Sequence, residues 1–352
     1  MKGTIKELGN SEIEIVGEID AEKFDSYRTK AIRAINENLN IDGFRPGKIP
    51  EDILVQKVGE VSIMEEMAEM ALRDLYPKFV LENNIEAIGR PEISITKVAK
   101  GNPLEFKIKT AVMPKIEIAD YKNIAKDSWT ESLKEKIEVS EKEIEDVITE
   151  VRKARAKKPE HTCTDEKCGD EHKKEEPVLP ELTDDFVKSI GNFTDVKDFR
   201  EKLKKNIELE KEGAKNERTR TQILDKIIEK TEIKVPKVLL ENEINQVISE
   251  IRGKIEQLGL EFDKYLEQIK KTETDIRKEA EEPATKRVKY KLVLKTIAKE
   301  ENIKVPEEEV MKEVDNLLKY YENADFNSAK MYIEDVLTNE RVFQLLDDQK
   351  IK

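Results

Sequence analysis

Histidine, cysteine and tryptophan are nearly missing from this chain of 352 residues, which contains two His, two Cys and one Trp. Two cysteines cannot build the disulfide framework of a small secreted protein. No apolar run reaches the roughly 18 residues that a membrane-spanning helix needs, and the first residues, MKGTIKELGNSEIEI, lack the apolar core of a signal peptide. Together these absences predict a cytoplasmic protein.

The motifs of common enzymes are also lacking. The sequence has no phosphate-binding loop of the Walker type and no GxSxG nucleophile motif. Both histidines fall within one charged segment, which leaves none elsewhere for acid–base chemistry. The sequence therefore predicts no catalytic residues.

Charge is what the chain has in abundance. Charged residues make up 40% of the sequence and hydrophobic residues 37%, and the formal net charge is −13. That composition predicts a helix-rich protein with thin cores rather than a disordered chain. A chain this acidic is a poor candidate for wrapping nucleic acid through its overall field, so any contact with RNA needs a local basic patch.

The N-terminal part has the pattern of an α+β domain. Two short strands are predicted within 1–19, and two more, with alternating apolar and polar residues, in RPEISITKVA and PLEFKIKTAVM. Helices are predicted over 21–39, from Pro50 onward and over about 60–83. The predicted order is ββαααββ, with helices covering one face of an antiparallel sheet.

Helices are predicted for most of the remainder. Residues 115–138 are expected to be irregular and contain Trp129, whereas a helix over 139–157 is predicted to begin with Ser140 and Glu143 as a capping box. From residue 181 the pattern is helical almost to the end, which predicts an elongated all-helical C-terminal domain. Within it a break or kink is expected near Glu282, because Pro283 interrupts a helical pattern.

One loop differs from this acidic, helical background: NIDGFRPGKIP, residues 40–50. Its prolines and glycines favour a shaped turn. Phe44, Arg45 and Lys48 together are typical of a binding hot spot, an aromatic anchor beside cations that suit carboxylate or phosphate partners. The residues alone leave open an ordinary turn in which Phe44 folds back into its own core.

The stretch GFRPGKIP closely resembles the ribosome-binding signature of trigger factor, a family of bacterial chaperones that meet nascent chains at the ribosome. The ββαααββ pattern around it, the segment PVLPELTDDFVKSIG at 177–191 and the helical C-terminal part resemble the same family over nearly the whole chain. The resemblance implies that the loop binds the ribosome through six residues: Gly43, Phe44, Arg45, Pro46, Gly47 and Lys48.

The resemblance also implies a domain order and a set of partners. The implied domains are a ribosome-binding domain (1–114), a connecting segment with an arm helix (115–158), a charged linker (159–180) and a helical chaperone domain (181–352). The implied function is an ATP-independent holdase. Its implied partners are a protein and RNA of the large ribosomal subunit at the tunnel exit, and unfolded nascent polypeptides, with no membrane. A homodimer of the free protein stays open.

The chain departs from the family pattern in one place. Family members usually carry an FKBP-like prolyl isomerase domain before the LPEL sequence, but the charged linker offers only about 20 residues, too few to bury a core. The sequence therefore predicts a form without that domain and without enzyme activity. Two alternatives stay open: a prolyl isomerase with a rearranged site, and a non-ribosomal adaptor built from charged helices.

Apolar residues on the helices are candidates for holding unfolded polypeptide, because dispersed weak contacts hold many sequences without selecting one. The candidates are Ile244, Val247, Ile251, Met331, Val336, Leu337 and Phe343. The alternative is that these residues form the helical domain's own core.

The charged linker contains every His and Cys of the chain: His161, Cys163, Cys168 and His172. Two Cys and two His are a ligand set that zinc takes in closed, structural sites. The linker is therefore a candidate for structural zinc, and no other cofactor is predicted. The alternatives are a solvated loop with free thiols, or a Cys163–Cys168 disulfide, which a reducing cytosol disfavours.

Overall fold

The computed structural model describes residues 1–9, 11–40, 44–45, 47–156, 179–321 and 324–350. The chain forms two compact units, each made of two separate segments. Unit 1 consists of residues 1–119 and 228–302, and unit 2 of residues 120–227 and 303–352. The domain bounds predicted from the sequence follow chain order, whereas these units interleave along the chain.

Most described residues are helical, and the strands form one small sheet. The strands are β1 (Lys2–Gly9), β2 (Glu12–Ile19), β3 (Ala87–Lys97) and β4 (Leu104–Val112). The helices are α1 (Ala21–Asp25), α2 (Arg28–Asn38), α3 (Glu51–Val58), α4 (Glu60–Glu82), α5 (Tyr121–Lys134), α6 (Glu141–Arg155), α7 (Asp184–Ile190), α8 (Val196–Lys230), α9 (Lys237–Gln257), α10 (Phe262–Ile269), α11 (Glu273–Glu300), α12 (Glu307–Tyr320) and α13 (Phe326–Asp347). Among the described residues, none of these helices combines the length and the apolar composition needed to cross a bilayer.

The sheet of unit 1 is antiparallel throughout, with strand order β1-β2-β4-β3. Ile15 of β2 lies between Ile5 of β1 and Ile108 of β4, so these three side chains share one face. The buried hydrophobic residues on that face are Ile13, Ile15, Ile19, Leu104, Phe106 and Ile108. Helices α1 to α4 cover it, as the alternation of apolar residues predicted.

The predicted order ββαααββ differs from the structure in its helices. The strand pairs lie at both ends as expected, but four helices separate them in place of three. The predicted helix over 21–39 is divided at Ser26 and Tyr27, where the Tyr27 N–H donates to the Phe24 carbonyl at 3.0 Å and α1 ends. Phe24, Tyr27 and Ala31 still all lie in the core of unit 1.

A second core of unit 1 lies between α9, α10 and α11. Its buried residues are Ile244, Val247, Ile248, Ile255, Phe262, Leu266, Ile276, Ala280 and Ala284. Of the break or kink expected near Glu282, a break is absent, since α11 continues through Pro283. Pro283 lies on the exposed side of α11. The backbone carbonyl four residues earlier, which loses its N–H donor, is therefore open to water. On the opposite side the small residues Ala280 and Ala284 pack in the core with α9.

Unit 2 contains a helix where an irregular segment was predicted. Helix α5 is capped by Asp120, whose carboxylate accepts from the Asn123 N–H at 3.2 Å. Its buried Tyr121, Ile124, Ala125 and Trp129 recur at helical spacing, but the two serines and one threonine near its C-terminal end weaken the pattern. The Trp129 indole donates to the Leu346 carbonyl of α13 at 3.0 Å.

Candidate functional site

The loop between α2 and α3 holds the candidate site. Phe44 is 37% exposed and Arg45, Gly47 and Lys48 are also exposed, whereas the neighbouring Ile49 is 4% exposed and packs in the core of unit 1. Phe44 therefore does not fold back into the core, which was the alternative left open by the sequence. Gly43 and Pro46, the other two predicted residues, lie outside the described residues.

The described part of the loop is a closed turn fastened to α2. The Lys48 N–H donates to the Arg45 carbonyl at 3.0 Å, and Gly47 has φ of 81°, the left-handed value that a type II turn requires at its third residue. The Gly47 N–H donates to the backbone carbonyl of Asn36 at 2.9 Å. The Asn36 side chain makes two further hydrogen bonds with the backbone of Ile49. The turn thus presents its exposed side chains from a defined base.

Two cations of this loop are available to a partner. Among the described residues, no carboxylate lies within ion-pair distance of the Arg45 guanidinium or the Lys48 ammonium. On α2 itself the cations are occupied: Arg28 binds Glu60 at 2.5 Å, which lowers the pKa of the Glu60 carboxyl. Arg45 and Lys48 are therefore exposed cations without an ion-pair partner in the part of the chain that the structure describes.

The residues suggested for client binding fall into three groups. Ile244 and Val247 are 7% and 9% exposed and belong to the core between α9 and α11. Ile251, Val336, Leu337 and Phe343 are half-buried. Met331 is 69% exposed and its side chain is open to a client. The apolar stripe of α9 thus packs on its own neighbours, as the alternative reading allowed.

Sequence reasoning missed a group of exposed aromatic residues on the hairpin of α12 and α13. Tyr320, Tyr321 and Tyr332 are 85%, 67% and 60% exposed, and Phe326 at the start of α13 is 43% exposed. The buried side of this hairpin is formed by Val310, Val314 and Ala329 instead. The sequence did carry a signal for this surface: the aromatic residues lie outside the apolar stripe that packs the hairpin. Exposed aromatic residues do not stabilise a soluble helix, so such residues indicate a binding surface.

Unit 1 also contains a cavity of about 1030 Å³ that the sequence did not indicate. Its apolar lining includes Ile5, Ile13, Ile85, Ile88, Val112, Met113, Ile116 and Leu292. At its rim the Lys299 ammonium lies 2.6 Å from the Glu86 carboxylate, and this hydrogen bond, with the charge of Lys295, lowers the pKa of Glu86. The cavity is an apolar surface with a charged edge.

The candidate zinc ligands His161, Cys163, Cys168 and His172 lie outside the described residues. Within the ranges that the structure describes, no group of three or more His, Cys, Asp or Glu side chains is arranged to hold a metal ion.

This arrangement of a small helix-covered sheet followed by long helices has a counterpart among solved structures. A structure of the trigger factor chaperone, reported for its promiscuous substrate recognition in folding and assembly, matches with a TM-score of 0.54. The match covers 98% of this chain and 99% of that one at 20% identity, so it concerns the fold alone. The chain thus shares its overall fold with that structure.

The family follows from the sequence comparisons. Residues 1–151 match the model described as bacterial trigger factor protein, and residues 195–348 match the model of its C-terminus. The trigger factor of Caldicellulosiruptor bescii is 26% identical over 394 aligned residues, covering 91% of this chain and 89% of its own. The chain therefore belongs to the trigger factor family, which consists of ribosome-associated chaperones.

Two further relatives show the same extent of similarity. The trigger factor of Clostridium tetani is 25% identical over 429 aligned residues, with 99% of both chains covered, and that of Bacillus subtilis is 27% identical, with 90% of this chain and 91% of its own covered. An alignment of 429 residues is longer than this chain of 352, so the relative has internal segments without a counterpart here.

Proposed function

We propose that this protein is an ATP-independent holdase that anchors at the tunnel exit of the large ribosomal subunit through Phe44, Arg45 and Lys48. The observation that carries the proposal is the exposure of these three side chains on one loop, whose turn from Arg45 to Lys48 is hydrogen-bonded to α2. A preformed turn loses little conformational entropy on binding. Gly43, Pro46 and Gly47 complete the proposed anchor as the residues that shape it.

The chemistry of the anchor suits a surface of protein and RNA. The Arg45 fork pairs with a carboxylate or a phosphate, the Lys48 ammonium adds a point charge, and Phe44 fills a small apolar niche. The net charge of −13 repels RNA elsewhere on the molecule. Binding is therefore expected to be reversible and sensitive to salt.

The test is co-sedimentation with ribosomes of a triple variant, Phe44→Ala, Arg45→Ala and Lys48→Ala. We expect its affinity to fall about 100-fold or more, since hot-spot side chains carry most of the binding energy. The matched control is Leu81→Ala, Arg90→Ala and Lys57→Ala, which removes one exposed apolar side chain and two exposed cations elsewhere in unit 1. Equal pelleting of the triple variant and the wild type would refute the anchor.

We further propose that the client surface includes the exposed residues of the α12 and α13 hairpin together with Met331. Half-buried Ile251, Val336, Leu337 and Phe343 supply its edges, whereas Ile244 and Val247 stabilise the core. The double variant Tyr320→Ala, Tyr321→Ala is expected to need about two to five times more protein to suppress aggregation of a denatured client. The control is Leu133→Ala, Leu209→Ala, two exposed leucines of the same unit. Equal effects of the two pairs would contradict this surface.

We also propose that this protein has no prolyl isomerase activity. The support is that the two family models match only the N-terminal and C-terminal parts, and that relatives carry internal segments without a counterpart here. A proline-peptide assay at high protein concentration tests it, and turnover above the uncatalysed rate would overturn it. A non-ribosomal adaptor is not favoured, because both parts of the chain match one chaperone family.

We propose a structural zinc ion for the charged linker, supported by the Cys2His2 set in its sequence. Protein purified without a His tag is expected to contain about one zinc per chain, and the variant Cys163→Ser, Cys168→Ser none. A wild-type zinc content far below one per chain would remove the idea.

We place the protein in the cytoplasm, where ribosomes are. Sedimentation of the free protein measures whether it forms a homodimer.

A further inference from the structure

Asn36 makes three hydrogen bonds that close the base of the loop. Its backbone carbonyl accepts from the Gly47 N–H at 2.9 Å. Its side-chain nitrogen Nδ2 donates to the Ile49 carbonyl at 2.7 Å, and its side-chain oxygen Oδ1 accepts from the Ile49 N–H at 3.1 Å. One residue of α2 thus holds the two residues that flank Lys48.

The side-chain bonds have a geometry that few residues supply. An amide offers a donor and an acceptor side by side, so Asn36 pairs with both backbone groups of Ile49 as a neighbouring strand does. Asn is also a poor helix former, because its side chain competes for backbone groups. A half-buried Asn within α2 therefore costs helix stability, which its bonds to the loop offset.

We propose that Asn36 is a positioning residue for the ribosome anchor, acting through Phe44, Arg45 and Lys48 without contacting the ribosome itself. This inference rests on the proposed function. Ile49 is buried and Gly47 sits in the turn, so fixing both leaves the intervening Lys48 with little backbone freedom. Without the side-chain bonds the loop samples other conformations, and the affinity falls because ordering is then required on binding.

The experiment compares Asn36→Ala with Asn38→Ala in the full chain. Asn38 lies on the same helix, is exposed, and donates only to the Ala34 carbonyl within that helix. Asn36→Ala is expected to weaken ribosome binding about 5- to 30-fold, as the loss of two hydrogen bonds predicts, whereas Asn38→Ala has no effect. Hydrogen exchange at the Gly47 and Ile49 amides is expected to accelerate in Asn36→Ala only.

Two further readouts separate positioning from direct contact. Asn36 has no charge, so Asn36→Ala is expected to keep the wild-type dependence of affinity on salt, whereas Arg45→Ala or Lys48→Ala reduces the slope. Asn36→Ala added to the Phe44, Arg45 and Lys48 triple variant is expected to have no further effect on ribosome affinity, because the groups it positions are gone.

The outcomes distinguish the two proposals. Wild-type ribosome affinity in Asn36→Ala, with binding lost in the triple variant, overturns the role of Asn36 and leaves the anchor standing. Wild-type affinity in the triple variant overturns the anchor and this inference with it. Should Asn36→Ala fail to fold, Asn36→Asp decides: it keeps the acceptor for Ile49 and removes the donor, with Asn38→Asp as the charge-matched control, and equal affinity of those two variants refutes the proposal.

Discussion

At the scale of single residues, Gly89 shows how one position determines packing in unit 1. Gly89 lies in β3 with φ of 73°, and a Cβ atom there would come within 2.6 Å of Val238 Cγ1 at the start of α9. Real Cβ atoms do not approach a carbon so closely, so the backbone of β3 meets α9 only because the residue is glycine.

We expect Gly89→Ala to lower the free energy of unfolding by about 2–4 kcal/mol, the sum of left-handed backbone strain and the clash with Val238. Gly101→Ala is the control, because Gly101 has φ of 70° with nothing within 4 Å of the added carbon, and about 1 kcal/mol is expected. Urea unfolding measures both. Adding Val238→Ala should recover part of the stability that Gly89→Ala loses. If Gly89→Ala alone costs only as much as Gly101→Ala, the structure relieves the clash with Val238.

Residue types could be predicted from the sequence better than their surroundings. The exposed loop of Phe44, Arg45 and Lys48 could be predicted, because its glycines and prolines break the helical pattern on both sides. Its role as a binding site stays a prediction. The roles of Ile244 and Val247 could not, since the stripe on α9 is the same whether α11 or a client covers it. The role of Asn36 could not be predicted from the sequence, because its hydrogen-bond partner Ile49 lies 13 residues away in a loop of irregular backbone.

At the scale of elements, α6 shows a start that the sequence specified completely. The Glu143 N–H donates to Ser140 Oγ at 3.3 Å, and Glu143 Oε2 accepts from the Ser140 N–H at 2.8 Å, which confirms the predicted capping box. The structure adds Lys211 of α8, whose ammonium lies 2.6 Å from Glu143 Oε1. Lys211 first and the Ser140 bonds second lower the pKa of Glu143 from 4.5 to about 2.

This shift predicts how the contribution of Glu143 to stability depends on pH. A carboxyl with a lowered folded-state pKa stabilises the fold above its unfolded value, near 4.5, and loses that contribution as the pH falls towards 2. Glu143→Gln keeps the cap acceptor and removes the charge that Lys211 binds. The stability difference between wild type and Glu143→Gln, from urea unfolding, should therefore shrink from about pH 6 to about pH 3, which lie on either side of the unfolded value of 4.5. Glu138→Gln controls for net charge, and a difference that grows on acidification would contradict the prediction.

Elements were harder to predict where local and tertiary preferences conflict. Helix α5 was missed because Ser128, Thr130 and Ser132 dilute its apolar pattern, yet Ser132 and Thr219 form a buried hydrogen bond at 2.9 Å that requires those hydroxyls. Helix α11 passes through Pro283 because its long packed face on α9 outweighs one missing hydrogen bond. In both helices tertiary packing outweighs the local sequence preference.

At the scale of the whole molecule, each unit can be followed by its own measurement: tryptophan fluorescence for unit 2 and ribosome binding for unit 1. Trp129, the one tryptophan of the sequence, is 2% exposed in unit 2, and its indole donates to Leu346. Lys350 lies 5.1 Å from the centre of its ring. The proposed ribosome anchor, in contrast, belongs to unit 1.

Ending the chain after Asn302 is therefore expected to shift Trp129 emission to longer wavelength, because the removed segment supplies the cover of the indole. Ribosome pelleting is expected to persist, since residues 1–302 contain both segments of unit 1. Asp347→Ala in the full chain is the control: it breaks the ion pair with Arg220, 2.6 Å long, and keeps the backbone over the indole. An unshifted emission maximum in the truncated chain would show that α13 does not shield Trp129.

Interleaving was beyond the reach of sequence patterns, because amphipathic stripes on α9 and α11 do not say which segment they join. It has a consequence for biosynthesis. Unit 1 needs residues 228–302, which leave the ribosome after residue 119 by roughly 10 to 40 seconds at ordinary rates of translation. During that interval the first segment waits with its surface for α9 uncovered, so this chaperone begins its own existence as an incomplete nascent chain.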